Sequence, residues 1–304
     1  MRKGFTMVTR YLRFPGGKSK ALTFSYDDGV SEDIRLIDIF RKTGMRATFN
    51  INSGMFGPED KSFNGRPHRR LCASEGKELY TEDVCEVACH CVSHAFLTAC
   101  DPAVACMEII DDRRNLETMF GKQIHGFAYP NSAFNDTVVD AVRCAGIYYA
   151  RTVEATLNFN MPKDWLRMGT TCHHRHPQLM ELADKFLDLK PKYGPQLFYV
   201  WGHSYEFNDQ DNWHVIEDFT EKMAFKDDIW YATPLFLGFP PLFCIPDSSG
   251  MQFRILTRRC RSLLRFFDKS FQLLTGKYRP LQIRLQKVCR VCGFSYQLLP
   301  RFHP

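Results

Sequence analysis

Short β-branched and aromatic runs alternate with helix-period segments along most of this chain, and that alternation constrains the fold more than any other feature. Residues 20–26 (KALTFSY) read as a strand, and residues 31–43 as a helix with Ser31 as its N-cap and Ile34, Leu36, Ile37, Ile39 and Phe40 on its apolar face. Residues 46–51, 85–91, 124–129, 147–153, 196–201 and 229–232 read as further strands. Residues 102–119, 136–144, 179–189 and 212–224 read as helices, the first stopped by Gly121. Repeated strand–helix pairs require a mostly parallel sheet covered by helices, either a barrel or a doubly wound sheet. In both, reactive side chains gather at the C-terminal ends of the strands.

Charge separates the chain into two parts. Residues 234–304 hold 12 of the 40 Lys and Arg but only 2 of the 34 Asp and Glu, so the basic balance belongs to the tail while the first 233 residues are slightly acidic. A basic pI of that origin gives the body no nucleic-acid footprint. The tail has no Glu, and its Phe and Leu follow no clear period. It reads as a basic segment foreign to the preceding fold, as a shifted reading frame would produce, with a small basic helical appendage or a segment touching RNA or a membrane surface as the alternatives, and its Pro-containing start opposes a closing helix. No run approaches the roughly 18 apolar residues of a membrane span. The N-terminus lacks the apolar core of a secretory signal. With 12 cysteines in no regular framework, a reduced cytoplasmic setting is the expectation.

Four patterns carry candidate chemistry. Asp27-Asp28-Gly29 follows a strand, where one carboxylate can bind a cation while its neighbour acts as a base. The pairs Asp111-Asp112 and Asp227-Asp228 read instead as solvated surface. His90 and His94 are spaced to share a metal on a helical turn, or are unrelated histidines; Cys89 and Cys91 should face away from them. His203 ends a strand in Trp201-Gly202-His203 and can donate a proton into a cleft, or simply cap the strand. The run Thr171 to His176, with His173, His174 and His176, is a second possible metal cluster or a solvated loop. Cys289 and Cys292 lack a second pair at zinc-finger spacing.

In order, Thr23-Phe-Ser-Tyr-Asp27-Asp28-Gly29, His90-x-x-x-His94, Phe127-Ala-Tyr-Pro130 and Val200-Trp-Gly-His203 resemble the motifs of the polysaccharide deacetylases, the NodB-homology enzymes of carbohydrate esterase family 4. The match covers about residues 15–233, which the resemblance makes the catalytic domain, with 234–304 as the tail. It implies a distorted (β/α)7 barrel of the α/β class and a divalent metal, Zn2+ with Co2+ or Ni2+ as alternatives. By position, Asp28, His90 and His94 would be the metal ligands, Asp27 the general base and His203 the general acid. Tyr129, Pro130, Asn131 and Trp201 would contribute to substrate binding and the oxyanion hole, with the backbone N–H of Asn131 as the donor. The implied reaction is hydrolytic removal of N-acetyl or another acyl group from a chitooligosaccharide- or peptidoglycan-like carbohydrate. The implied partner is that carbohydrate, with no nucleic acid and no membrane, and the oligomeric state stays open. The alternatives are a hydrolase of other non-peptide amide or ester bonds and a non-catalytic carbohydrate-binding relative. Two departures stand out: the third motif, Ala128 to Ser132, lacks the family's Arg that braces the base, and Asp164-Trp165 is only a candidate for the tryptophan motif.

Overall fold

A computed structural model describes residues 12–57, 60–63 and 66–238. The strands are β1 (Lys20–Asp27), β2 (Ala47–Ile51), β3 (Asp60–Phe63), β4 (Arg66–Arg69), β5 (Cys85–Cys89), β6 (Gly126–Ala128), β7 (Tyr149–Ala155), β8 (Met168–Thr170), β9 (Cys172–His173), β10 (Gln196–Gly202) and β11 (Ile229–Tyr231). The helices are α1 (Asp33–Thr43), α2 (Ala73–Leu79), α3 (Pro102–Phe120), α4 (Asp136–Cys144), α5 (Leu179–Asp188), α6 (Tyr205–Asp209), α7 (His214–Met223) and α8 (Pro234–Gly238). Two compact units divide the chain, Met1–Ile245 and Pro246–Pro304. The second lies outside the described residues, and with it most of the segment read as a foreign tail. The start of that segment is helical in one respect: Pro234 opens α8, at the one helical position where a missing N–H costs nothing.

The parallel sheet runs β8-β7-β6-β5-β2-β1-β10-β9, with β11 added beside β1. Only Thr171 separates β8 from β9, so residues 168–173 pair with β7 at one end and β10 at the other. That stretch closes the sheet into a barrel of seven walls, matching the expected (β/α)7 class. No strand is expected there from the sequence, because the stretch carries no apolar run. β3 and β4 form a separate antiparallel hairpin.

Period-2 alternation sorts β1 between two cores. Leu22, Phe24 and Tyr26 pack with Phe40, Phe49 and Phe219 in the layer beneath the helices, whereas Ala21 joins Tyr149, Met168, Leu197 and Tyr199 inside the barrel. By the same alternation Ser25 and Asp27 face inward. At the opposite end, the fully buried Lys20 ammonium lies 3.1 and 3.0 Å from the carbonyls of Phe186 and Leu187 at the end of α5, and 3.0 Å from Asp228. Its charge suits that carbonyl-rich helix terminus.

Several boundaries differ from expectation for local reasons. The N-cap of α1 is Glu32, because the Ser31 hydroxyl bonds the Glu32 carboxylate instead of capping the helix. Asp33 opens α1, Arg41 and Lys42 close it, and Gly44 at φ +71° ends it. β5 stops at Cys89, so His90 and His94 stand on a loop rather than on a helical turn. Asp112 is no surface residue: it is fully buried on α3, accepting bonds from the backbone N–H of His90 at 2.8 Å and of Ser53 at 2.7 Å.

Candidate active site

The polar residues singled out in the sequence converge at the C-terminal ends of the strands. Asp27 is the last residue of β1. Asp28 then takes φ +87° and Gly29 φ +66°, which reverses the chain and turns the second carboxylate out beside the first. Across the barrel, Cys91 and His94 also adopt positive φ, +64° and +58°, and this bends the loop after β5 until the two imidazoles lie 4.8 Å apart, edge to face. Asp28, His90 and His94 each offer one donor atom within 4.8 Å of the others.

Both oxygens of Asp27 are held. The Asn50 side-chain amide at the end of β2 donates to Oδ1 at 2.7 Å, and the Arg151 guanidinium on β7 donates to Oδ2. Arg151 also donates to the Ser25 hydroxyl at 3.1 Å and stacks on the Trp201 ring at 4.5 Å. The missing brace of the third motif is therefore present, supplied from a different strand. Burial by itself would raise the Asp27 carboxyl, but Arg151, His90 and His203 outweigh it and hold Asp27 below the usual carboxylate range. An ionised carboxylate at this position can accept a proton.

The three candidate metal ligands fit a divalent cation. Burial opposes the charge on Asp28, yet Arg70 and the neighbouring histidines bring its carboxyl down to about 2. His90 Nδ1 lies 2.8 Å from the Ala128 carbonyl. A carbonyl only accepts, so Nδ1 carries the proton and Nε2 keeps its lone pair. Burial also holds His90 neutral, with its pKa at about 4. One carboxylate and two imidazoles form a zinc-type donor set with coordination positions left over. Burial pushes the Cys89 and Cys91 thiols up, and neither joins the group. The Arg70 guanidinium flanks Asp28 at 3.2 Å from Oδ1 and reaches Asn52 Oδ1 at the same distance, placing a fixed positive charge at the cleft edge.

His203 follows β10 with Nε2 3.9 Å from Asp27 Oδ2 and Nδ1 3.4 Å from Glu206 Oε1. Burial disfavours its charged form, but Glu206, Asp28 and Asp27 together raise its pKa. Glu206, a residue the sequence reading missed, is three positions on, a spacing that faces it toward His203 across one helical turn. The histidine run is only partly a solvated loop. His173 lies in β9, and His174 is fully buried between Tyr26 and Phe207, at 5.7 and 4.2 Å. Gly202 makes this packing possible, since a Cβ there would lie 2.0 Å from His174 Nδ1.

The residues expected to contact substrate are spread differently. Tyr129 is buried and its hydroxyl donates to the Leu166 carbonyl at 2.8 Å, and Pro130 is buried beside it. Trp201 is half-buried as the platform for Arg151. Asn131 is exposed in the turn Pro130–Ser132, at φ +53°. Trp165 packs against the core inside the barrel, and Asp164 bonds Arg167 at 2.7 Å.

A closed parallel barrel with one polar cluster of carboxylates and imidazoles at its strand ends defines the class. Residues 9–150 match the polysaccharide deacetylase family. A putative polysaccharide deacetylase from Mycobacterium smegmatis is similar in structure, with TM-score 0.52 and 14% identity over 83% of this chain and 99% of that one. At that identity the likeness speaks to the fold alone. The Streptococcus pyogenes deacetylase PplD, in complex with acetate, matches at TM-score 0.41 and 20% identity, over 48% of this chain and 61% of its own. A family 4 carbohydrate esterase from Streptomyces lividans, also in complex with acetate, matches at TM-score 0.42 and 15% identity, over 66% of this chain and 88% of its own. The chain thus spans less than two thirds of the length of PplD. No curated protein matches it. Among the described residues, no helix is long and apolar enough to cross a membrane.

Proposed function

We propose that the protein is a metal-dependent deacetylase that removes N-acetyl or related acyl groups from a carbohydrate of chitooligosaccharide or peptidoglycan type. The observation that carries this reading is the convergence of Asp28, His90 and His94 on one point, with Asp27 3.9 Å from both His90 and His203. When bound, a zinc-class cation at Asp28, His90 and His94 acidifies water and polarises the acyl carbonyl.

The chain's own residues supply the remaining chemistry. Asp27, held by Asn50 and Arg151, accepts the proton of the attacking water. His203, kept protonated by Glu206, gives its proton to the amine as the C–N bond breaks. Proton transfers of this kind contribute about 10²- to 10⁴-fold each. The backbone N–H of Asn131 is the proposed oxyanion donor.

Acetate release from N-acetylglucosamine oligomers tests the reading, with metal content measured on the same preparation. Wild type should release acetate, Asp27→Asn should retain metal and lose activity, and Asp28→Ala should lose both. Wild type that binds metal but releases no acetate from any such oligomer would remove the substrate assignment.

A further inference from the structure

Glu206 gathers more basic side chains than one general acid requires. His174 Nε2 lies 3.0 Å and His173 Nε2 3.2 Å from its Oε2, while His203 Nδ1 lies 3.4 Å and the Arg175 guanidinium 3.6 Å from its Oε1. These contacts are close but misaligned. His203 Nδ1, Glu206 Oε2 and both ring nitrogens of the fully buried His174 have no aligned hydrogen-bond partner among the described residues. Buried polar atoms normally find such partners. A carboxylate and imidazoles gathered this closely without aligned N–H···O bonds can act as a ligand set once the rings release their protons. One atom each from His173, His203 and Glu206 lies within 4.8 Å of the others.

We propose that His173, His203 and Glu206 form a second divalent-cation site of the zinc class, and that filling it inhibits the enzyme. Two imidazoles and one carboxylate suit Zn2+, and also Ni2+ or Cu2+. His174, clamped between Tyr26 and Phe207, orients the Glu206 carboxylate as an outer partner. Arg175 is the opposing charge, but its side chain is 47% exposed and can turn into solvent. The inhibitory consequence rests on the reading of His203 as proton donor. Nε2 of that ring faces Asp27 and Nδ1 faces Glu206. A cation on Nδ1 excludes the imidazolium form, so the ring no longer delivers a proton to the departing amine.

Equilibrium dialysis of the full chain against Zn2+, read by elemental analysis, tests the site directly. Wild type should hold one equivalent more than His173→Ala and one more than Asp28→Ala, and the double variant should lose both. Zinc in excess of the first equivalent should inhibit acetate release by wild type. For His173→Ala, half-inhibition should require at least about ten-fold more zinc, in line with the usual cost of disturbing a metal site. His173→Gln serves as a second variant if the alanine form folds poorly. Equal zinc content and equal inhibition in wild type and both His173 variants would overturn the proposal. Because the Asp28→Ala arm reports on the first site separately, failure of one site leaves the other decided by its own measurement.

Discussion

The Arg151 guanidinium on β7 bonds Asp27 Oδ2 at the end of β1, and both side chains are buried. The two residues are 124 positions apart, and barrel closure alone brings them together. Removing the guanidinium leaves a buried carboxylate with only the Asn50 amide and two histidines to oppose the upward push of burial. Arg151→Met is therefore expected to lower kcat by about 10²-fold or more. It should also move the acidic limb of the kcat/KM profile to higher pH and cost about 3–5 kcal/mol of stability. Arg151→Lys should recover part of the rate. An unchanged acidic limb in a folded Arg151→Met protein would separate Arg151 from the base.

Glu206 raises the pKa of His203, and in its proposed role as general acid His203 must be protonated to act. Without the carboxylate, the His203 pKa falls and the protonated fraction disappears at lower pH. In Glu206→Gln, the alkaline limb of kcat/KM should move to lower pH while the acidic limb stays in place. A pH–rate profile of the two proteins checks this, and a fixed alkaline limb would count against the pairing.

Asp33, bonded to Ser204 beside His203, offers a stability test on a residue with no proposed role in the reaction. Burial pushes its carboxyl up to about 7, despite hydroxyl donors from Ser204 and Tyr80, each at 2.6 Å. Its folded pKa lies above the unfolded value, so its stabilising contribution is complete below about pH 4 and is lost as pH rises toward 7. Asp33→Asn should flatten the fall in unfolding free energy between roughly pH 4 and pH 7. Identical slopes in chemical denaturation of wild type and variant would show that Asp33 is ionised throughout.

Cation binding at Asp28, His90 and His94 should appear as stability, because the unfolded chain does not assemble that site. Zinc at about 100 times its dissociation constant adds about 2.7 kcal/mol. The thermal midpoint should rise on zinc addition, return on chelation, and respond much less in His90→Ala. An equal rise in His90→Ala would place the stabilising ion elsewhere.

The sheet was legible where apolar runs are dense. Residues 196–201 and 20–26 each carry an apolar or aromatic run that only a buried strand accommodates, and both are strands in the structure. The barrel-closing stretch 168–173, Met-Gly-Thr-Thr-Cys-His, has no such run, and its pairing depends on neighbours on two sides. The carboxylates and histidines of the cluster stand out as residue types after strands, but the spacing of His90 and His94 suggested a helical turn where positive backbone φ does the work. Arg151 carried a weak signal, a charge inside the apolar run 147–153. Its role could not be read locally, because the partner lies on the first strand. Glu206 was within reach, since its three-residue spacing from His203 is a recognisable pairing distance.

An anomalous-difference map from crystals grown with Zn2+ is the most direct measurement of the central claim, that three residues far apart in the chain grip one ion beside Asp27. The expected peak lies at roughly 2.0–2.2 Å from a carboxylate oxygen of Asp28 and from the imidazole nitrogens of His90 and His94. The absence at saturating zinc of any peak ligated by all three of these residues would contradict it, whether or not a second ion sits at His173, His203 and Glu206.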